Sequence, residues 1–314
     1  MYRKTYIVHV PEYLMKIKEI VCSGCKSNVV VKRGCFETKT HGKQQRYYCK
    51  SCKKKFIPQT AFYRMRNNPQ KITLCLDLFY KGVSTRQIQS HLQAFYPHNS
   101  SWVTIYNWIV RYSNQISNFT DTLKVKVGKE LQIDKMEYHR RTNPTKKGVS
   151  KEWFIDSVDC KTRYMVGSKY FKSRGQKEIR EVMNKVKYKT EGYATTITTD
   201  GYTAYENVVK KTFGWSNKKQ GYTIIHNKVT ASKGEGFNIM IERLHNSIRE
   251  RTKTFRGFHG SLESADSIMK GYSIFYNFIR KHQAIKKCPY ELAIPKLELK
   301  SDNKWLELIR LSKV

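Results

Sequence analysis

The sequence predicts a multidomain chain: a small cysteine-clasped β module, an all-α segment, and a larger mixed α/β domain built on a five-stranded sheet. Three observations predict it. Four cysteines fall as two Cys-x-x-Cys pairs between residues 22 and 52. Apolar residues then recur at helical spacing through residues 70–112. From about residue 125, β-branched runs alternate with helical stripes. The boundaries that follow are an N-terminal extension at 1–20, the cysteine module at 21–60, the helical region at 61–120, the α/β domain at 121–295 and a C-terminal tail at 296–314.

Charge narrows the function classes. The 314 residues carry 60 Lys+Arg against 25 Asp+Glu, a formal net charge of +35, which excludes most metabolic enzymes. Residues 1–120 hold 20 of the basic and only 4 of the acidic residues, and the remainder is also strongly basic. Both halves are therefore expected to face a polyanion. The 21 Tyr, 14 Phe and 5 Trp supply stacking surfaces that favour nucleic acid over an anionic membrane. No apolar run reaches the roughly 18 residues of a membrane span, and the N-terminus passes from Tyr6–Val10 directly to Pro11 and Glu12. A cytoplasmic, prokaryotic protein is expected, associated with the nucleoid when it binds DNA, and its eight cysteines are read as metal ligands before disulfides.

In the first module, Cys22/Cys25 and Cys49/Cys52 flank a 23-residue stretch, 26–48, holding the β-branched run Val29–Val31 and the strand-like Gln45–Tyr48. Two thiolates from each tight turn, with hairpins between them, suit one structural Zn²⁺ in a zinc ribbon. Cys35 and His41 are rival ligands without a partner at knuckle spacing. In the helical region Ile72, Leu74, Cys75, Leu78 and Phe79 form one stripe. A turn at Gly82-Val83-Ser84 follows, with Ser84 as N-cap of a helix through Leu92, and Ser101 caps a segment to Tyr112. This order suits a helix-turn-helix whose last helix enters a major groove, with Trp102, Thr104, Tyr106 and Asn107 as candidate DNA contacts. A plain helical hairpin fits the pattern equally, and the basic module ahead of it favours DNA.

The α/β region reads as strands at Glu130–Tyr138, Glu152–Val158, Tyr164–Tyr170, Ala194–Thr199 and Tyr222–Val229. Helices are expected at Gln176–Val186, Phe237–Arg251 and Leu262–His282. Acids are scarce here, so their positions carry information. Asp134 lies in the first strand, Asp200 ends the fourth and Glu242 sits in the late helix. Gathered together they would hold divalent cations, two Mg²⁺ (or Mn²⁺) about 3.5 to 4 Å apart acting on a phosphodiester. Each also suits a structural role, Asp200 as a turn or cap residue and Glu242 as a solvated helix residue paired with a neighbouring Arg. On the late helix Asn238, Glu242, His245 and Arg249 share a face beside a core stripe of Phe237, Ile241, Leu244 and Ile248.

These residues together resemble a DDE transposase of a prokaryotic insertion sequence, with the ribonuclease H-like core it shares with retroviral integrases. Residues 131–138 resemble the first catalytic strand, Thr199-Asp200-Gly201-Tyr202 through Tyr205 the second acidic motif, and Ile241-Glu242 through Arg249 the third. Tyr276 through Ala293 resembles the tail beyond it, and residues 22–57 the zinc ribbon fused ahead of some such enzymes. The resemblance implies a metal-binding triad of Asp134, Asp200 and Glu242, with Arg249 contacting the DNA backbone and His245 helping near the scissile phosphate. It further implies double-stranded DNA partners, the element's terminal inverted repeats and its target, no membrane partner, and a homodimer or larger assembly on DNA. The chain departs from the family in Lys135, where an acid often follows the first Asp, and in a long stretch between Asp200 and Glu242 that makes Glu235 a rival third acid. Asp156 and Asp159 are rivals of Asp134 to which a structural role is assigned. Two other classes remain open: a zinc-ribbon and helix-turn-helix DNA-binding regulator with an inactive core, and a structure-selective nuclease without strand transfer.

Overall fold

The computed structural model describes residues 20–38, 42–58, 61–63, 65–96, 100–141, 149–191, 194–216, 221–222, 224–229, 238–253 and 258–313. His41, Glu235 and Phe237 lie outside them. The cysteine module is a three-stranded antiparallel sheet of β1 (Val30–Thr38), β2 (Gly42–Cys49) and β3 (Lys55–Phe56). Its interior is small: Cys22, Cys49 and Phe56 are buried, with Ile20, Val30, Tyr47 and Cys52 packed against them.

Three helices follow, and local chemistry starts each one. Pro69 opens α1 (Pro69–Tyr80), where the Asn68 side chain accepts the Gln70 amide hydrogen. Ser84 caps α2 (Thr85–Phe95) in a reciprocal box: the Gln87 amide donates to Ser84 Oγ at 3.3 Å, and Gln87 Oε1 accepts the Ser84 amide at 3.1 Å. Ser101 caps α3 (Trp102–Thr120), which extends well past the Tyr112 expected from its pattern. The extension is driven by packing, since Ile105, Trp108, Ile109, Tyr112, Ile116 and Phe119 form one buried stripe.

The main sheet is built from β4 (Glu130–Arg141), β5 (Val149–Asp159), β6 (Met165–Phe171), β7 (Thr196–Asp200) and β10 (Ile225–Val229). Helices α4 (Gln176–Thr190) and α5 (Thr203–Phe213) lie between its later strands in sequence. Its order is β10-β7-β4-β5-β6, with β4, β5 and β6 antiparallel and β7 and β10 parallel to β4. This is the mixed five-stranded sheet expected from the sequence. One expected strand divides: Gly221–Tyr222 (β9) turns back to pair with Trp215–Ser216 (β8), and β10 begins only at Ile225. The late helix is α6 (Ile239–Thr252). The short β11 (Phe258–His259) lies parallel to the far end of β4. Then α7 (Leu262–Ile274) runs into a π-helical turn, Phe275–Ile279, so the continuous α-helix expected to His282 ends earlier. A short α8 (Pro289–Ala293) and α9 (Lys304–Leu311) complete the chain.

The helical region and the α/β domain share one core, which runs from Ala61 to Ile309. Tyr80 on α1 joins them: its hydroxyl is 2.9 Å from Ser113 Oγ on α3 and donates to the Ile268 carbonyl on α7 at 3.2 Å. Gly271 makes this approach possible, because a Cβ there would lie 1.8 Å from the Tyr80 hydroxyl. The segment read as a tail also belongs to this core. Trp305 stacks on Tyr80 with ring centroids 5.4 Å apart, and Gln115 donates to the Ile309 carbonyl.

Candidate active site and cysteine centre

Sheet register assembles the acidic site. Asp134 on β4 is directly paired with Asp156 on β5. On its other side, the β4–β7 ladder ends at Gln132↔Thr198. Two residues further on, Asp134 and Asp200 emerge on the same face, because side chains repeat every second residue along a strand. Asp156, Asp134 and Asp200 thus form a row across three neighbouring strands, at the open carboxyl end of β7.

Helix α6 covers this row and is pinned to it. Gln132, two residues before Asp134, accepts the amide hydrogens of Met240 and Ile241 through Oε1 at 3.0 and 3.1 Å, and its own amide donates to Glu130. Two of the free N–H groups at the start of α6 are thereby satisfied by the strand that carries the first acid. One turn into the helix, His245 inserts between two carboxylates. Its Nε2 lies 2.7 Å from Asp156 Oδ1 and its Nδ1 3.7 Å from Asp134 Oδ2, with only 3% of the side chain exposed. Burial disfavours a charged ring, yet the Asp156 and Asp134 carboxylates outweigh it and hold the His245 pKa above its ordinary value. Burial pushes Asp134 and Asp156 upward. Asp156 Oδ2 and the Tyr205 hydroxyl are buried without a hydrogen-bond partner among the described residues.

Asp200 is held at both oxygens. Oδ1 accepts the Tyr202 amide hydrogen at 3.0 Å, and Oδ2 accepts from the Lys135 ammonium at 2.5 Å. That ammonium is also 4.0 Å from Asp134 Oδ1. A cation therefore already stands between the two acids. Glu242 lies in the first turn of α6 with its side chain exposed and, among the described residues, without an ion pair. Among these residues the only group of three or more metal-ligating side chains whose donor atoms all approach within 4.8 Å is the cysteine set. The structure thus brings Asp134 and Asp200 together and leaves Glu242 at the rim.

The structure adds detail at three expected positions. His245, expected near the scissile phosphate and as a DNA contact, is buried between the Asp156 and Asp134 carboxylates. Asp156, assigned with Asp159 to a structural role, belongs to the acidic row. Asp159 does hold a turn, accepting from the Gly128 amide and from both the amide and hydroxyl of Thr162. The polar face of α6 also divides: Asn238 and His245 are buried, Glu242 and Arg249 exposed. On α3, Trp102 and Asn107 are exposed, Thr104 and Tyr106 half-buried, and Arg86 lies over the Trp102 ring at 4.9 Å.

In the cysteine module, Cys22, Cys25, Cys49 and Cys52 converge, with Cys22–Cys52 and Cys25–Cys49 sulfurs each 3.5 Å apart. Backbone amides point at the sulfurs. That of Cys52 does most to lower the Cys49 thiol to about 6, and that of Cys25 to lower Cys22. Despite the amide of Lys54, burial and its neighbouring thiols push Cys52 up to about 11. Four thiols so placed suit a tetrahedral soft metal. Cys35 is exposed and donates to Gln45 Oε1, outside this set.

Residues 151–283 match a family model described as a DDE domain, of the IS240 transposase type. This part of the chain is accordingly similar to the DDE domain of insertion-sequence transposases. The match begins within β5, so it includes Asp200 and Glu242 and leaves Asp134 and the whole N-terminal region outside. Among curated proteins none matches the chain. A similar solved structure is the cryo-EM structure of a piggyBac transposase synaptic complex with hairpin DNA, with 8% sequence identity, a TM-score of 0.32, and coverage of 77% of this chain and 69% of that one. Among the described residues no helix is long and apolar enough to cross a membrane.

Proposed function

We propose that the chain is a transposase that binds the ends of its insertion sequence, cuts phosphodiesters there, and joins the freed 3′-hydroxyl to target DNA. The observation that carries this reading is the placement of Asp134 and Asp200 on one face of adjacent strands with a cation between them, in a chain whose residues 151–283 match a DDE domain. Asp134 and Asp200 hold the divalent cations, and Glu242 completes the set from the start of α6. When bound, such ions activate the attacking oxygen and stabilise the leaving one. Gln132 fixes the start of α6, while Asp156 and His245 hold the Asp134 carboxylate in one orientation. Arg249, exposed two turns beyond Glu242, contacts DNA phosphate.

The cysteine module holds one structural Zn²⁺ through Cys22, Cys25, Cys49 and Cys52 and, with α2 and the exposed start of α3, binds the terminal repeats. Trp102, Thr104, Tyr106 and Asn107 supply the contacts there. The protein acts in the cytoplasm, as a dimer or larger on DNA because two ends must meet.

The test is purified full-length chain with duplexes carrying the inverted repeats that flank its gene. Mg²⁺-dependent nicking with joining of the 3′ end to a second duplex is expected. Metal-dependent cutting without joining would leave a nuclease, and binding without cutting a DNA-binding regulator.

A further inference from the structure

Lys135 stands where the family resemblance leads one to expect an acid, and its position is unusual. Strand alternation directs it to the face opposite Asp134, toward α5. Beyond Gln132 and Thr198, however, β4 and β7 no longer pair. The Lys135 ammonium lies 2.5 Å from Asp200 Oδ2 and 4.0 Å from Asp134 Oδ1. The side chain is only 7% exposed. Tyr202 and Tyr205, from the start of α5, face the ammonium with ring centroids 4.6 and 5.3 Å away, so aromatic faces as well as carboxylates hold the charge.

We propose that Lys135 is a tethered counter-ion of the Asp134–Asp200 pair, which a divalent cation must displace in order to bind. The inference rests on the reading of these two acids as metal ligands. Asp200 Oδ1 already accepts the Tyr202 amide hydrogen, which makes Oδ2 the less committed oxygen, and that is the atom Lys135 occupies. A metal ion at Oδ2 and an ammonium at the same oxygen repel at short range in a half-buried site, where screening is poor. The metal site is therefore weak in the chain without DNA, and Lys135 sets how weak. A displaced ammonium stays on its four-carbon stem beside the site, within reach of a phosphodiester bound there.

The test is Mn²⁺ binding to the full-length chain without DNA, followed by calorimetry and by the paramagnetic resonance of free Mn²⁺. Lys135→Met should bind Mn²⁺ at least about tenfold more tightly than the parent chain. Lys135→Arg, which keeps the charge, should stay close to the parent. Adding Asp200→Asn to Lys135→Met should remove the gain, which locates it at this pair. Circular dichroism establishes that each variant is folded. Unchanged or weaker Mn²⁺ binding in a folded Lys135→Met chain overturns the inference, as does an Arg variant that binds as tightly as the Met variant. Failure of the underlying reading looks different: the parent chain would then cut DNA equally well in Mg²⁺ and in chelator, whatever Lys135→Met does to Mn²⁺ affinity.

Discussion

The cysteine module buries Cys22, Cys49 and Phe56, whereas the rest of the described chain shares a core running from Ala61 to Ile309. The two regions also place their candidate ligands differently. In the module, two short turns close in sequence bring four sulfurs together, and little else holds the strands. In the sheet, the candidate ligands come from strands and a helix far apart in the chain, carried by elements of the large shared core. A metal ion should thus be a folding element in the first region and a chemical one in the second.

The sharpest way to break this comparison is to remove the acids. Asp134→Asn, Asp200→Asn and Glu242→Gln should each reduce Mg²⁺-dependent cutting and joining to background, while DNA affinity and the melting temperature of the core stay close to parental. Gel assays of cleavage beside filter binding and calorimetry measure this. A large fall in melting temperature in Asp200→Asn would mean that the acids hold the fold, as the cysteines are expected to. Asp159→Asn is the contrasting control: it weakens a turn, so stability should fall while the folded protein still cuts.

Removing zinc should have the next largest effect, and on the opposite region. Chelation, or Cys49→Ser, should unfold residues 20–58 while the large core melts as before, since so few buried side chains hold the module alone. Hydrogen exchange resolves the two regions separately. Zinc retained at one ion per chain in Cys49→Ser would remove that cysteine from the ligand set.

A smaller effect is expected where the helices meet the α/β domain. Gly271→Ala puts a Cβ 1.8 Å from the Tyr80 hydroxyl, and overpacking of this kind costs about 1–3 kcal/mol. The core should melt earlier and the zinc content should stay the same. Because α1, α3 and α7 meet there, the helical region and the sheet should lose stability together in one transition.

The smallest effect concerns Lys189, which is 3% exposed, pairs with Asp121 at 3.6 Å, and has its pKa lowered by burial to about 8. A lysine with a folded pKa below its unfolded value of about 10.4 makes the native state bind fewer protons between the two, so stability from this group rises over that window. Lys189→Met should therefore gain least over the parent chain near pH 10 and most below pH 8. Melting curves at several pH values check the sign, and a gap that widens as pH rises would contradict it.

Much of this organisation was legible in the sequence where the governing interactions are local. The doubled Cys-x-x-Cys spacing and the Ser84 and Ser101 caps depend on neighbours a few positions away and appear as expected, and the order of strands and helices after residue 125 does so apart from the divided strand before Ile225. Asp134 and Asp200 stood out as candidates because acids are rare in so basic a chain. Asp156 was not, since a strand interior gives no sign of which residue lies across the ladder. Gln132 reads as an ordinary strand residue until α6 is laid across it.

The sequence alone determined most kinds of element, their broad order and the cysteine set, because periodicity, capping and turn spacing act over a few residues. Only the tertiary structure decided which side chains meet. Register set Asp156 beside Asp134, packing of α6 buried His245 between the two carboxylates, and the fold brought Lys135 to Asp200. It also decided that α1, α3, α7 and α9 share one core, because Gly271 allows Tyr80 to bond across helices nearly two hundred residues apart in the chain. Pairings of that range depend on which apolar faces cover one another, and such complementarity exists only between elements already formed.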